Sequence, residues 1–230
     1  RLPGFTVEVL PELDSTNTEL MRRARAGQTD PVLLLAERQT AGRGRMGRSW
    51  HSADGDSLTF SLGLLLAPRD WSGLSLAVGV AVAEHLDARV QLKWPNDLWL
   101  DGHKLGGILI ETASPAGAGS RQEGAARYAV IGIGINIAQP PAAGLSTPPA
   151  GLRALDVQAE AGSTWLRIVP ALVDTVLAFQ DTGFGPFQAR FAARDALRDQ
   201  AVTLSDGQAG TAHGVTPDGS LLVHTAAGMQ

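Results

Sequence analysis

The chain has 230 residues, with 19 Lys or Arg against 23 Asp or Glu and a formal net charge of −4. This length fits one compact domain or a domain with a small appendage, and the acidic balance argues against a general nucleic-acid binder. The chain contains no Cys, which excludes a disulfide framework, a thiolate metal site and a cysteine nucleophile.

The apolar pattern predicts an α/β body followed by a small β unit. Strands are predicted at 5–10, 32–36, 57–66, 90–94, 98–100, 105–111 and 128–137, and in the tail at 201–204, 210–215 and 220–224. A first helix should be capped by Asp14 or Ser15 and stop at Gly27, and further helices are predicted at 72–87, 163–181 and 186–198.

Two stretches are predicted to be loops. Residues 114–126 are rich in Ala, Gly and Ser, which suits a surface hairpin loop. Residues 139–151 are rich in Pro and Gly, which excludes a helix or a central strand. No continuous run of 18 apolar residues and no signal peptide are recognised, so we expect a cytoplasmic protein without a membrane partner.

A loop rich in Gly and Arg follows the second strand. Gly42, Gly44 and Gly47 have the spacing of a dinucleotide-binding fingerprint, but residues 48–55 show no helical periodicity, so that interpretation fails. The alternatives are a solvated basic turn and an anion site. In an anion site, Arg43, Arg45 and Arg48 would offer forked donors to phosphate or carboxylate oxygens.

Lysine is confined to one short stretch. Only Lys93 and Lys104 are lysines, and Lys104 opens a strand after the turn pair Asp101-Gly102. A lysine here has two interpretations. It is either an edge guard, a charge that prevents another strand from pairing with this one, or a point charge that reaches a carboxylate and a phosphate in a dry pocket. The adjacent pair Gly106-Gly107 would let a ligand lie flat on the strand.

A third glycine signal ends in a carboxamide. In the segment from Ile131 to Asn136, isoleucines alternate with glycines, so one face of the strand should be apolar and the other bare. Asn136 either closes the strand in a turn or presents the paired donor and acceptor that an adenine edge requires.

Taken together, these motifs resemble the biotin–protein ligase family over nearly the whole chain. The matching segments are Asp14-Ser15-Thr16-Asn17, the loop from Gln39 to Trp50, KWPND followed by Lys104-x-Gly-Gly-Ile-Leu-x-Glu, and Gly-Ile-Gly-Ile-Asn136. The resemblance implies an α+β fold of the class II synthetase type, in which helices pack on a mixed sheet. A catalytic domain would cover 1–195, and a small Src-homology-3-like barrel would cover 196–230.

The resemblance also implies a two-step reaction. Biotin and MgATP would give biotinyl-5′-adenylate, and the adenylate would then acylate a lysine of a biotin carboxyl carrier protein. The biotin site would comprise Ser15, Thr16, Asn17, Gln39, Arg43, Gly44, Arg45, Lys104, Gly107 and Leu109. The ATP site would comprise Arg43, Arg45, Arg48, Trp50 and Asn136. Lys104, Arg45 and Arg48 would be catalytic by offsetting charge at the α-phosphate.

No side-chain nucleophile is needed for this chemistry, and no His has metal-ligand spacing, so the expected Mg²⁺ is the ion carried by ATP. The segment 139–151 would order over the adenylate and shield it from water.

Several features separate this chain from other members of that family. Met46 stands where the family often has Arg. No helix-turn-helix precedes the core, so we expect no DNA-binding role, and the barrel is expected to be incomplete at Gln230. A homodimer is compatible with the resemblance. Lipoate–protein ligases share the reaction type but use a different Arg-Arg-x-x-Gly-Gly-Gly loop, and a non-enzymatic biotin or nucleotide sensor is the remaining alternative.

Overall fold

The computed structural model describes residues 4–114, 125–143 and 147–229. The strands are β1 (Thr6–Leu13), β2 (Val32–Gln39), β3 (Gly42–Arg43), β4 (Ser49–Trp50), β5 (Ser57–Leu66), β6 (Val90–Lys93), β7 (Asp97–Leu100), β8 (His103–Ala113), β9 (Arg127–Asn136), β10 (Ala201–Thr203), β11 (Ala209–Val215), β12 (Leu221–Thr225) and β13 (Gly228–Met229). The α-helices are α1 (Thr16–Arg25), α2 (Leu74–Leu86), α3 (Ala161–Thr182) and α4 (Gln188–Ala192). The predicted hairpin loop at 114–126 lies mostly outside the described residues.

Seven strands form one mixed sheet in the order β1-β2-β5-β9-β8-β7-β6. β1 runs parallel to β2, and every other neighbouring pair is antiparallel. The register of the central pair places Gly107 opposite Gly134 and Leu109 opposite Gly132. The two glycine-rich motifs of the sequence therefore lie side by side in the middle of the sheet.

The two faces of this sheet carry different helices. α1 packs on one face, where Leu20 and Ala24 form a small core with Leu34 and Val130. α2 and α3 cover the other face, where Ile131, Ile133 and Ile135 are buried in the main core. This arrangement confirms the predicted α+β class, with helices packed on a mixed sheet.

α1 begins as the sequence predicts. Ser15 is its N-cap, and the Ser15 hydroxyl accepts a hydrogen bond from the Thr18 backbone N–H at 3.4 Å. Asp14 does not cap the helix itself; its Oδ1 accepts from the Ser15 N–H at 2.7 Å. Gly27 has a φ of +85°, so it provides the left-handed stop that was expected after the last turn.

α3 is long and apolar enough, by length and composition alone, to cross a membrane. The interruption of its apolar residues by Arg167, Asp174 and Asp181 explains why no continuous apolar run was recognised. One face of α3, with Ile168 and Phe179, is buried in the main core. This packing is that of a core helix.

The helix predicted at 186–198 is wrong in its second half. α4 ends at Ala192, after a 3₁₀ turn at Gly185–Phe187. The chain then pairs with the edge of β6: the Leu92 N–H donates to the Arg194 carbonyl at 2.8 Å, and the Ala196 N–H donates to the Leu92 carbonyl at 2.9 Å. The backbone hydrogen bonds gained at the open edge of β6 outweigh the local preference of this segment for a helix.

The C-terminal strands form a separate antiparallel sheet in the order β10-β11-β12-β13. Up to Met229, the described strands form an open four-stranded sheet and not a closed barrel. Two side chains of the body bind it: Trp94 Nε1 donates to the Gly219 carbonyl at 3.0 Å, and Gln188 Nε2 donates to the Val215 carbonyl at 2.8 Å. The predicted small β unit is therefore docked on the body.

Candidate active site

The face of the sheet beneath α1 is lined by glycines because other side chains press against it. A Cβ at Gly132 would lie 2.1 Å from Asn17 Oδ1, and a Cβ at Gly134 would lie 2.5 Å from Trp50 Cε2. The sequence predicted a bare face on this strand. Among the described residues, the bare positions at Gly132 and Gly134 instead admit the side chains of Asn17 and Trp50.

The start of α1 builds a buried polar network with β2 and β5. Gln39 Oε1 accepts from the Thr16 backbone N–H at 2.7 Å and lies 3.2 Å from the Thr16 hydroxyl oxygen. Ser61 Oγ lies 2.7 Å from Thr16 Oγ1 and 2.7 Å from Asn17 Oδ1. Ser15, Thr16 and Asn17 are each 3% exposed and Ser61 is fully buried, so this network is held in one arrangement.

Glu111 connects this network to the Gly-Arg loop. Its Oε2 accepts from Asn17 Nδ2 at 3.0 Å, and its Oε1 accepts from Arg43 at 2.9 Å. Asn17 Nδ2 also donates to the Leu109 carbonyl at 3.2 Å. Ser15, Thr16, Asn17, Gln39, Arg43 and Leu109, six of the residues predicted for a biotin pocket, thus lie together at one end of the sheet face.

Lys104 lies at the other end of the same face. Its ammonium donates to Asp97 Oδ1 at 2.7 Å, and a Cβ at Gly107 would lie 3.6 Å from Lys104 Nζ. The amine therefore lies beside Gly107, at a distance that would put a Cβ there in ordinary van der Waals contact. Its side chain is about one quarter exposed, so it is partly buried and not a free edge guard.

Arg45 approaches Lys104 from the Gly-Arg loop. Its guanidinium donates to Asn96 Oδ1 at 3.3 Å, and Asn96 in turn donates to the Ile108 carbonyl at 2.9 Å. Asn96 and Asp97 are adjacent, so two loop-and-strand contacts bring the Arg45 and Lys104 cations to neighbouring residues. The Asp97 carboxylate, which pairs with Lys104, offsets part of the repulsion between the two cations.

The Gly-Arg loop itself is a short ribbon with a tight turn. β3 and β4 pair through Gly42 and Trp50, and a 3₁₀ turn covers Arg45–Gly47. No helix opens here, which confirms that the dinucleotide-binding interpretation was correctly rejected. Met46 is 90% exposed in a left-handed conformation, and the exposed Arg48 side chain makes no hydrogen bond within the described part of the chain.

Asn136 closes β9 beside the segment predicted to cover the site. Its Nδ2 donates to the Ala150 carbonyl at 2.9 Å and to the Lys104 carbonyl at 3.4 Å. The Lys104 N–H donates to the Pro148 carbonyl at 2.8 Å, and the Ala150 N–H donates to the Lys104 carbonyl at 2.8 Å. The end of the Pro- and Gly-rich segment is thus joined to the backbone of Lys104, and Asn136 has the strand-closing role that the sequence left open.

Four residues of this region were not assigned a site role from the sequence. Asn96, Asp97 and Glu111 belong to the quoted motifs, so their positions were available, but their partners depend on strand register. Ser61 gave no signal, because a serine in an apolar strand is uninformative until its neighbours are known. The other lysine, Lys93, makes a cation–π contact, with its Nζ 4.0 Å from the centre of the Trp99 ring.

Trp50 combines an apolar surface with a polar atom. Its ring lies against Gly134, and its Nε1 is buried without a hydrogen-bond partner in the residues that the structure describes. Across 4–114, 125–143 and 147–229, no group of three His, Asp or Glu side chains could hold a metal ion.

These contacts define a class of site. The strand surface around Gly107, called the glycine surface below, lies between a buried network of neutral polar groups at one end and Lys104 with Arg45 at the other. Such a surface suits a small ligand with a polar, uncharged ring and an anionic group. Lys104 and Arg45 can position an anionic group there and stabilise its charge.

Comparison with known proteins agrees with this class. Residues 9–136 match the family model described as the biotin/lipoate A/B protein ligase family. The chain belongs to this family.

Two curated relatives are similar along almost the whole chain. The bifunctional ligase/repressor BirA of Escherichia coli is 32% identical over 97% of this chain and 70% of its own length. The biotin–[acetyl-CoA-carboxylase] ligase of Paracoccus denitrificans is 31% identical over 96% of this chain and 95% of its own. The Mycobacterium tuberculosis ligase of the same name is 38% identical, but the match covers 59% of this chain and half of that protein.

A solved structure has the same fold. The biotin protein ligase from Aquifex aeolicus, in complex with biotin and ATP, superposes with a TM-score of 0.79 at 26% identity, covering 98% of this chain and 94% of that one.

Proposed function

We propose that this chain is a biotin–protein ligase that activates biotin with MgATP and transfers it to one lysine of a biotin carboxyl carrier domain. The observation that carries the proposal is the position of Lys104 beside Gly107, on the same glycine surface as the buried Thr16, Asn17 and Gln39 network. This surface joins a binding place for a polar ring to a cationic place for a carboxylate and a phosphate.

The first step needs no covalent help from the protein. A carboxylate oxygen of biotin attacks the α-phosphorus of ATP, the bond to the β-phosphate oxygen breaks, and pyrophosphate leaves with its Mg²⁺. Two anions must approach each other for this attack. Lys104 and Arg45 offset their repulsion and share the charge that builds on the α-phosphate, and Arg48 assists from the same loop.

The second step releases AMP. The neutral amine of the carrier lysine attacks the acyl carbon of the adenylate, an amide bond forms, and the bond to the phosphate oxygen breaks. Lys104 and the loop arginines stabilise the departing phosphate charge. The described end of the Pro- and Gly-rich segment, residues 148–151, bonds to the Lys104 backbone and would exclude water, which otherwise competes with the lysine.

The ring of biotin binds at the network end of the surface. Its ureido group has two N–H donors and one carbonyl, which match the mixture of acceptors and donors on Ser15, Thr16, Asn17 and Gln39. Arg43, Gly44, Gly107 and Leu109 enclose the ring and the chain that follows it. In this assignment Trp50 and Asn136 contact the adenine of the nucleotide.

The polar network favours biotin over lipoate as the substrate. The dithiolane ring of lipoate has no hydrogen-bonding N–H or C=O, so it would leave the buried polar groups of Thr16 and Asn17 without a ligand partner. A site built to hydrogen-bond a ligand rejects an analogue that lacks those groups.

The wider setting follows from the same function. We propose that the chain works in the cytoplasm, where carboxylases and ATP are found. Its partner is a carrier protein, and it binds neither nucleic acid nor a membrane. A homodimer forms through a β surface. Size-exclusion chromatography with and without biotin and MgATP tests the dimer, since a single monomer peak under both conditions would contradict it.

The transfer reaction tests the proposed function. The chain should be incubated with biotin, MgATP and a carrier domain of acetyl-CoA carboxylase, and the intact mass of the carrier measured. We expect one biotinyl group on the wild-type carrier and none on a carrier whose acceptor lysine is replaced by Arg. An unmodified wild-type carrier, or modification by lipoate in place of biotin, would overturn the proposal.

A further inference from the structure

A fully buried hydroxyl lies beneath the residues proposed above to bind the biotin ring, which are called the ring pocket below. Ser61 lies on β5, is 0% exposed, and has its Oγ 2.7 Å from both Thr16 Oγ1 and Asn17 Oδ1. Because it is sealed below α1, Ser61 cannot contact a ligand itself. Any influence on binding must act through Thr16 and Asn17.

The direction of the Asn17 amide is fixed by its other contacts. Its Nδ2 is 3.0 Å from a Glu111 carboxylate oxygen and 3.2 Å from the Leu109 carbonyl, and both of these atoms accept only. A flipped amide would set an oxygen against two oxygens. Asn17 Oδ1 therefore faces Ser61 as an acceptor, and the single proton of the Ser61 hydroxyl must be donated to it.

This assignment then fixes the hydroxyl of Thr16. Ser61 has no second proton, so the 2.7 Å contact between the two hydroxyls is a hydrogen bond only when Thr16 donates to Ser61 Oγ. Gln39 Oε1 still accepts from the Thr16 backbone N–H at 2.7 Å, and its longer 3.2 Å contact with the hydroxyl is the weaker choice. The Thr16 hydroxyl therefore donates to Ser61, and the Ser61 hydroxyl donates to Asn17.

We propose that Ser61 is a positioning residue that makes Thr16 Oγ1 a hydrogen-bond acceptor in the ring pocket. With its proton committed to Ser61, the Thr16 hydroxyl presents a lone pair to a ligand N–H, as one ureido nitrogen of biotin supplies. This inference rests on the proposed biotin-ligase function and adds a residue that selects an N–H donor on the ring.

The test compares Ser61→Ala with Thr59→Val in biotin-dependent ATP–pyrophosphate exchange. Thr59 lies two residues earlier on the same face of β5, is buried, and donates its hydroxyl proton to the Ala36 carbonyl at 2.9 Å, away from α1. Both variants lose one buried hydroxyl. We expect Ser61→Ala to raise the KM for biotin about tenfold with kcat within about twofold, and Thr59→Val to leave the KM within about twofold.

A double variant shows whether the effect passes through Thr16. In a Thr16→Val background, Ser61→Ala should change the KM by less than about twofold, because the hydroxyl that it orients is already absent. An undiminished tenfold effect in that background would overturn the proposal. So would equal KM shifts in Ser61→Ala and Thr59→Val, since a general loss of packing would then explain both.

Folding is checked by thermal melting of each variant. If Ser61→Ala does not fold, Ser61→Cys replaces it, and its weaker S–H donor should still raise the KM several-fold. Unfolding of both would make Ser61 a structural residue and contradict the proposal. Wild-type protein without biotin-dependent exchange would instead refute the function itself, so the two failures are distinguishable.

Discussion

Lys104 Nζ lies 2.7 Å from Asp97 Oδ1, which joins the site amine to the last residue of the KWPND motif. Both side chains are less than one third exposed. The antiparallel pairing of β7 with β8 places Asp97 opposite Gly107, so the carboxylate and the glycine surface belong to one local unit. The lysine is therefore fixed in place before any ligand arrives.

Replacing Lys104 by Ala should abolish most of the adenylation activity. Removal of one preorganised charge donor typically costs at least roughly 100-fold in rate. The matched control is Lys93→Ala, because Lys93 is the only other lysine and lies over the Trp99 ring on the edge strand β6, two strands from Gly107 on β8. Pyrophosphate exchange should be lost in the first variant and near wild type in the second. Equal activities would return Lys104 to the role of an edge guard.

Asp97→Asn should weaken adenylation without removing the amine. The charge-assisted hydrogen bond to Lys104 becomes a neutral one, so the ammonium is held less firmly, and we expect kcat/KM for exchange to fall about tenfold. Asp101→Asn is the control, since Asp101 is an exposed carboxylate that pairs with Arg89 at the surface. A wild-type rate in Asp97→Asn would show that the lysine needs no such support.

Gly134→Ala should displace Trp50 and with it the end of the Gly-Arg loop. The new Cβ would lie 2.5 Å from Trp50 Cε2 and 2.7 Å from Cζ2, and a large ring packed against backbone cannot yield cheaply. We expect a lower melting temperature together with loss of exchange activity. In Gly162→Ala, where the new Cβ meets nothing within 4 Å on α3, stability should hold or rise slightly. Unchanged activity in Gly134→Ala would mean that the position of Trp50 is unimportant.

The stability of the chain should carry a pH dependence from Asp195, which lies where the segment after α4 pairs with β6. Burial raises the pKa of this carboxyl, and its Oδ2 has no partner within the described residues. A group whose folded pKa lies above its unfolded value contributes stability at acid pH that is lost as the pH rises through the folded pKa. Asp195→Asn should therefore melt above wild type at pH 7, and the difference should shrink towards pH 4. A difference that is constant with pH would contradict this.

The features that were predictable from the sequence depend on local patterns. Alternating apolar residues predicted the strands, Ser15 predicted the start of α1, and the turn pair Asp101-Gly102 predicted the hairpin that presents Lys104. These signals act over a few residues, so a single sequence contains them. The glycines of β8 and β9 likewise predicted a close approach to the sheet, although not that the side chains of Asn17 and Trp50 would make it.

The features that were not predictable depend on partners that are distant in the chain. Glu111 meets Arg43 across 68 residues, and Ser61 meets Asn17 across 44, so neither pair has a local signature. The helix predicted beyond Ala192 failed for the same reason, because the open edge of β6 provided backbone partners that the local pattern does not show. Tertiary hydrogen bonding decided each of these cases.

Biotin-dependent exchange of pyrophosphate into ATP tests the central claim most directly, because it measures reversible adenylate formation without a carrier protein. The purified chain should be incubated with MgATP and labelled pyrophosphate, with biotin, with lipoate or with neither. The account predicts labelled ATP with biotin alone. Exchange driven by lipoate, or no exchange with biotin while the chain remains folded, would contradict it.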